Sequence, residues 1–159
     1  MNLSMDNFNT SNIKLDSNQI NINGDENDLF YRYKMPAVKL DFNKKMKRTI
    51  ITNSNDIGNN LSRDHKLICK FLAKSMSTQS VLNDGNIVIN GIFTDQEIQQ
   101  QIYAFIQKYV LCSKCNNPET DISKKKDSLQ LLCNACGYNK NIKLSDGLDK
   151  IIYNSLSNL

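Results

Sequence analysis

From Ala37 to Asn53 apolar and polar residues alternate, with Val38, Leu40 and Phe42 before a basic run and Thr49-Ile50-Ile51-Thr52 after it, which predicts two strands joined at Asn43–Arg48. The rhythm then lengthens. Asn53 or Asn55 can cap a short helix through Ile57 and Leu61, interrupted near Ser62-Arg63-Asp64, and a second helix runs from about His65 to Met76 with Leu67, Ile68, Phe71 and Leu72 on one stripe. Gln79–Leu82 and Asn86–Phe93 read as a hairpin over Asn83-Asp84-Gly85, because an Asp-Gly pair tolerates the positive φ of such turns. Thr94-Asp-Gln-Glu97 is a capping box that opens the longest helix, from Asp95 to about Tyr109. Ile98, Ile102, Phe105, Ile106 and Tyr109 recur along it at spacings of three and four, so they share one face that must be buried.

Beyond Tyr109, Thr120–Ile122 and Leu129–Leu132 should pair as strands around a Lys124-Lys125-Lys126 tip. A last short helix near Leu148–Leu156 would pack Leu148, Ile151, Ile152 and Leu156 on that module. At the other end, residues 1–29 scatter a few apolar positions among Asn, Ser and Asp, too few to offset the entropy of ordering, and read as a flexible tail. Residues 30–36 differ sharply. Pro36 disfavours helix before it, so Phe30–Pro36 should be an extended arm with Phe30, Arg32 and Lys34 on one side and Tyr31, Tyr33 and Met35 on the other. The pattern therefore predicts an α+β protein: a tail over 1–29, an arm over 30–36, a small mixed αβ core over 37–109, and a C-terminal module over 110–159 joined to the core by the long helix.

Charge divides the same way. Residues 1–29 hold one cation, Lys14, against five anions, giving −4, so the remainder carries +8 of a chain whose net charge is +4. A basic body suits RNA or an acidic partner, although charge alone supports solubility nearly as well. At the Lys44–Arg48 tip a solvated loop and a phosphate or acidic-partner contact fit equally. No apolar run approaches the roughly 20 residues of a membrane span, and the N-terminus lacks the basic and apolar regions of a secretory signal, so the expected compartment is the reducing cytosol or nucleus, with the cytoplasm preferred.

The cysteines make the last module chemical. Cys112-Ser-Lys-Cys115 and Cys133-Asn-Ala-Cys136 are two matched knuckles whose four thiolates can close a tetrahedron around one zinc ion. Two disulfides would need an oxidising context that nothing at the N-terminus supports. With all four positions filled by protein the metal has no place for substrate or activated water, so its role is structural. The fifth cysteine, Cys69, lies in the second helix and reads as a small core or boundary residue; His65, the single histidine, has no partner for a triad or mixed metal site. There is no GxxxxGK[ST] loop and no nucleophile with a base partner, which speaks against a free-standing hydrolase or GTP-binding protein.

Taken together, Phe30-Tyr-Arg-Tyr-Lys-Met-Pro36, the basic αβ core, Lys108-Tyr-Val-Leu-Cys112, Asn117-Pro-Glu-Thr-Asp121 and Cys133-Asn-Ala-Cys136-Gly137-Tyr138 resemble the N-terminal domain of eukaryotic translation initiation factor 5 over about residues 30–156. Core and ribbon are similar also to the beta subunit of translation initiation factor 2, as is the middle with Ile89-Asn-Gly-Ile-Phe93. The resemblance implies that Arg32 stimulates GTP hydrolysis by the GTP-bound gamma subunit of initiation factor 2 on the small-subunit preinitiation complex, with Arg48 and Lys70 as supporting basic positions. An arginine supplied in trans can stabilise the charge of a transferred phosphoryl group and accelerate hydrolysis on the order of 10³–10⁵-fold. The chain departs from the family at Asn43-Lys-Lys-Met46 and Ala73-Lys-Ser-Met76, where glycine-containing turns are expected, and no counterpart of the family's C-terminal helical-repeat domain precedes residue 159. Two other functions stay open on sequence: a non-catalytic adaptor resembling the beta subunit that binds gamma, transfer RNA or ribosomal RNA, and a general zinc-ribbon nucleic-acid module.

Overall fold

The computed structural model describes residues 19–156. Its strands are β1 (Gln19–Asn21), β2 (Lys34–Pro36), β3 (Leu40–Asn43), β4 (Arg48–Ile51), β5 (Ser80–Asn83), β6 (Asn86–Asn90), β7 (Thr120–Lys124), β8 (Ser128–Cys133) and β9 (Asn139–Lys143). Its helices are α1 (Ser54–Asn60), α2 (His65–Ser75), α3 (Asp95–Tyr109) and α4 (Gly147–Ser155). The strands form three antiparallel sheets: β1 with β2, a central sheet ordered β3-β4-β6-β5, and a ribbon sheet ordered β7-β8-β9.

Alternation decides which face of the central sheet is buried. Leu40, Ile51, Ile87 and Leu82 lie opposite one another across its four strands, as do Phe42, Thr49, Ile89 and Ser80 in the next row but one, so both rows share the inner face. Ile51, Ile87 and Ile89 on that face are fully buried in a core that also takes the apolar stripes of α2 and α3. Phe71, Phe105 and Tyr109 meet there edge-on or tilted, with centroids 5.4 to 6.1 Å apart. At the β5–β6 hairpin Asp84 and Gly85 both take positive φ, as the two central residues of a type I′ turn require. The Thr94 capping box forms in both directions, the hydroxyl accepting from the Glu97 amide while the Glu97 carboxylate accepts from the Thr94 amide.

The boundary drawn after residue 29 is corrected at its edge. Gln19–Asn21 pairs with Lys34–Pro36, and Ile22, whose amide donates to the Tyr33 carbonyl at 3.1 Å, is buried in the core. Ile20 and Ile22 alternate with Asn21, a short strand signal that the surrounding Asn- and Asp-rich composition dilutes. The part of the expected tail before Gln19 lies outside the described residues.

A second correction concerns α4. It packs chiefly on α2 of the core and only secondarily on β8, so it closes the joint between the two halves and does not belong to the ribbon alone. Asp149 on its first turn is buried, accepts from the Tyr109 hydroxyl at 2.6 Å and pairs with Lys108 Nζ at 3.2 Å, while Asp146 caps the helix and pairs with the same lysine at 2.9 Å. Burial, with the Asp149 carboxylate beside it, drives the Tyr109 phenol well above its ordinary range, so Tyr109 stays a hydrogen-bond donor.

Arg63 fastens the same joint. Only 4% exposed, it reaches the Tyr109 carbonyl through Nε at 3.1 Å and Nη2 at 2.8 Å, and the Thr120 carbonyl and hydroxyl at 2.7 Å each. Burial lowers its guanidinium to about 10, against a smaller opposite pull from Asp121. It therefore remains charged at neutral pH and solvates carbonyls at the end of α3 and the start of β7. Arg63→Met is expected to strand those acceptors and cost about 3 kcal/mol, the penalty of leaving buried groups unpaired, read as a fall in the denaturation midpoint of the protein.

Candidate metal centre and the arginine arm

Each cysteine knuckle is built by the same local geometry. In the first, the Cys112 amide donates to the Asn117 carbonyl at 3.0 Å and the Asn116 amide to the Cys112 carbonyl at 2.8 Å; in the second, the Cys133 amide donates to Tyr138 and the Gly137 amide to Cys133, both at 2.9 Å. The residue after each pair lies in the left-handed region, Asn116 at φ 60° and Gly137 at φ 79°. Glycine adopts that conformation freely and asparagine tolerates it better than most residues. These turns aim backbone N–H groups at sulfur, from Lys114 to Cys112 and from Cys136 to Cys133, both at 3.4 Å.

The four sulfurs of Cys112, Cys115, Cys133 and Cys136 lie within 4.8 Å of one another, with Cys112–Cys136 at 3.7 Å and Cys115–Cys133 at 3.6 Å. A tetrahedron with metal–sulfur bonds of about 2.3 Å has edges of about 3.8 Å, so the cluster has the size that zinc requires. All five cysteines are free thiols, and Cys69 is buried beside Ser80 with burial raising its thiol. Within the cluster, burial opposes ionisation of Cys112, but amide donors from Cys115 and Lys114 prevail and bring it down to about 7. At Cys115 an amide donor from Asn117 favours the thiolate, yet lost hydration and the three neighbouring sulfurs outweigh it and push the thiol up to about 12. Four sulfurs this close need a cation between them before all can be anionic.

The arm lies against this centre. Tyr31 and Tyr33 are half-buried on the core with centroids 6.0 Å apart, and Met35 is fully buried, while Phe30 and Arg32 face solvent. Tyr33 donates its hydroxyl to Glu119 Oε1 at 2.6 Å and accepts from Asn117 Nδ2 at 3.1 Å, so the arm is tied to the loop after the first knuckle. The Arg32 guanidinium stands 5.7 Å from the Tyr33 ring centroid, a cation–π distance. Arg48 sits on β4 between Asn43 and Asn90, its Nε buried without an acceptor. Lys70 is exposed on α2. Among the described residues no hydrogen bond or ion pair joins Arg48 or Lys70 to Arg32. The cysteines are thus assembled by the fold, whereas the three basic positions are each presented separately. Periodicity gave no sign of the contacts of Asn117, Glu119 and Arg63 between elements, which span 46 to 86 residues of chain.

Residues 23–139 match the family described as a domain found in initiation factors 2B and 5. The chain is 34% identical over 106 residues to translation initiation factor 2 subunit beta of Archaeoglobus fulgidus, covering 67% of this chain and 76% of that protein. It is 36% identical over 121 residues to eukaryotic translation initiation factor 5 of Dictyostelium discoideum and 35% over 126 residues to that of Mus musculus, in each case 75% of this chain. It spans under a third of the length of these two, 31% and 29% respectively. No described helix is long and apolar enough to cross a membrane.

Proposed function

Because this chain belongs to the family of the domain found in initiation factors 2B and 5, we propose that it is a cytoplasmic translation initiation factor that stimulates GTP hydrolysis by the gamma subunit of initiation factor 2 during start-codon selection, supplying Arg32 in trans. The observation that carries this proposal is the presentation of Arg32. Its neighbours Tyr31, Tyr33 and Met35 are anchored, while its own guanidinium is exposed and, among the described residues, engaged by the aromatic face of Tyr33. A guanidinium held this way keeps its fork of N–H donors available for a partner's phosphate oxygens. The reacting water, nucleotide and magnesium would all be the partner's, and this chain would contribute charge stabilisation and position alone.

The ion in the cysteine cluster is, in this account, a single structural zinc held by Cys112, Cys115, Cys133 and Cys136. It would supply rigidity to the ribbon and the knuckle loops and take no part in hydrolysis. Arg48, near the exposed Lys44, Lys45 and Lys47, and Lys70 on α2 would meet the small-subunit preinitiation complex, including transfer RNA or ribosomal RNA. A test is single-turnover GTP hydrolysis by the complex of initiation factor 2, GTP and initiator transfer RNA on small ribosomal subunits, with and without the protein. Acceleration supports the proposal, and its absence with a zinc-loaded protein that still binds gamma refutes it.

A second account has a specific observation behind it. The match to the archaeal beta subunit covers 76% of that protein, so the chain is commensurate with a stoichiometric beta-like adaptor. That account predicts a stable assembly with gamma and no dependence of hydrolysis on Arg32.

A further inference from the structure

We propose that the ribbon's first knuckle loop positions the Arg32 arm through Tyr33, making Tyr33, Asn117 and Glu119 positioning residues for the arginine; the catalytic half of this inference rests on the GTPase-stimulating function proposed above. The Tyr33 hydroxyl is held from two sides, donating to Glu119 Oε1 at 2.6 Å and accepting from Asn117 Nδ2 at 3.1 Å. Neither holder is a free side chain on a loose loop. The Asn117 carbonyl accepts from the Cys112 amide at 3.0 Å, and its side-chain oxygen accepts from the Glu119 amide at 2.7 Å. The Glu119 carbonyl accepts from the amide of Asn134, which lies between Cys133 and Cys136, at 2.8 Å. The two residues that grip Tyr33 are therefore themselves gripped, one by each knuckle.

The consequence for Arg32 is geometric. One peptide unit separates it from Tyr33, and its guanidinium rests 5.7 Å from that ring's centroid, so fixing the ring orients the cation. On its other side the arm is held by Ile22, whose amide donates to the Tyr33 carbonyl, and by the β1–β2 pairing. Tyr33 is thus fixed at both ends, backbone to Ile22 just after β1 and hydroxyl to the ribbon. Closing the four-cysteine cluster around its ion would set the distance between the knuckles and through it the place of the arm. Pre-positioning of this kind lowers the ordering cost that a mobile arginine would bear on docking.

The test uses the whole zinc-loaded chain and two independent readouts. The first is tryptic scission of the Arg32–Tyr33 peptide bond, followed by mass spectrometry, which reports local opening of the arm whether or not any GTPase responds. Glu119→Ala is expected to speed this scission about fivefold, as loss of one charge-assisted hydrogen bond would, and Tyr33→Phe, which also loses the bond from Asn117, at least as much, with one zinc per chain retained. Glu119→Gln, which keeps an acceptor oxygen, should recover part of the difference. The double variant should open no faster than Tyr33→Phe alone, because both substitutions break the same bond. Unchanged scission in both single variants overturns the proposal. The second readout is stimulated single-turnover hydrolysis. Tyr33→Phe should lower the rate at saturating protein about fivefold without moving the concentration for half-maximal effect, and a rate that stays level or rises overturns the positioning role. Should the parent protein itself stimulate no hydrolysis, the function proposed for Arg32 fails and the positioning role with it, while the scission result still decides whether Tyr33 tethers the arm.

Discussion

Arg32→Ala is expected to return GTP hydrolysis by the initiation factor 2 complex to its rate without this protein, a loss on the order of 10³-fold or more from the stimulated value. The size follows from what an arginine can do at a phosphoryl-transfer site. There it places a permanent charge and two parallel donors against oxygens whose charge changes between ground and transition state, in a site closed to water. Arg32→Lys keeps the charge and loses the fork, so it should recover only a small part of the rate. Neither substitution should disturb folding, because Arg32 is exposed and its contact is with the face of Tyr33. Zinc content and binding to gamma therefore serve as internal controls. Arg48→Ala and Lys70→Ala should have smaller effects expressed in the concentration dependence, since each lies apart from the arm and would contribute to docking. Unimpaired hydrolysis with Arg32→Ala, where the parent stimulates it, would instead favour the beta-like adaptor.

Local patterns in the sequence carried most of the fold. The apolar face Ile98, Ile102, Phe105, Ile106 and Tyr109 is buried as its spacing requires, and the Thr94 box and the Asp84-Gly85 turn form because side-chain and backbone preferences there agree. The four cysteines were legible for the same reason, since two matched knuckles encode their own geometry. What was not legible depends on pairs distant in sequence. Tyr33 could be read as an aromatic that docks on the core, but nothing in Phe30–Pro36 says that its hydroxyl meets Asn117 and Glu119. An arginine in the interruption between two helices looks solvated, and Arg63 is buried because the Tyr109 and Thr120 carbonyls, the Thr120 hydroxyl and carbonyls of its own loop replace its water. The strand β9 escaped notice because Asn139-Lys-Asn-Ile-Lys143 has a single apolar residue, and its existence depends on pairing with β8. Ile20 and Ile22 were overlooked in the same way, as two residues whose partners lie on the arm and in the core.

With the structural zinc proposed for the cysteine cluster in place, its removal should have the largest effect on structure. Cys133→Ser, or chelation of the wild-type ion, is expected to unfold residues 112–143 while the central sheet persists, seen as lost amide protection on β7, β8 and β9 with protection retained on β4 and β6. The ribbon has little else to hold it. Its buried apolar side chains are few, chiefly Leu129 and Leu131, and its remaining face is polar or half-exposed, whereas structural zinc in small modules is worth about 10–16 kcal/mol. The central core keeps its own inventory of Ile51, Phe71, Leu72, Ile87, Ile89, Ile98 and Phe105, none of which touches a sulfur ligand in sequence. It would not escape untouched. Thr120 supplies Arg63 with two of its acceptors, so loss of β7 leaves that guanidinium buried with the Tyr109 carbonyl and its own loop, and the denaturation midpoint of the core should fall as well. Acid should reach the same end by a different route. Metal binding requires deprotonated thiols, so protons compete with the ion and zinc affinity must fall as pH falls, with ribbon protection lost before that of the central sheet. Ribbon strands that stay protected in the fully metal-free protein would mean that packing against α4 and the Arg63 joint suffice to fold them, and that the cluster serves some end other than stability.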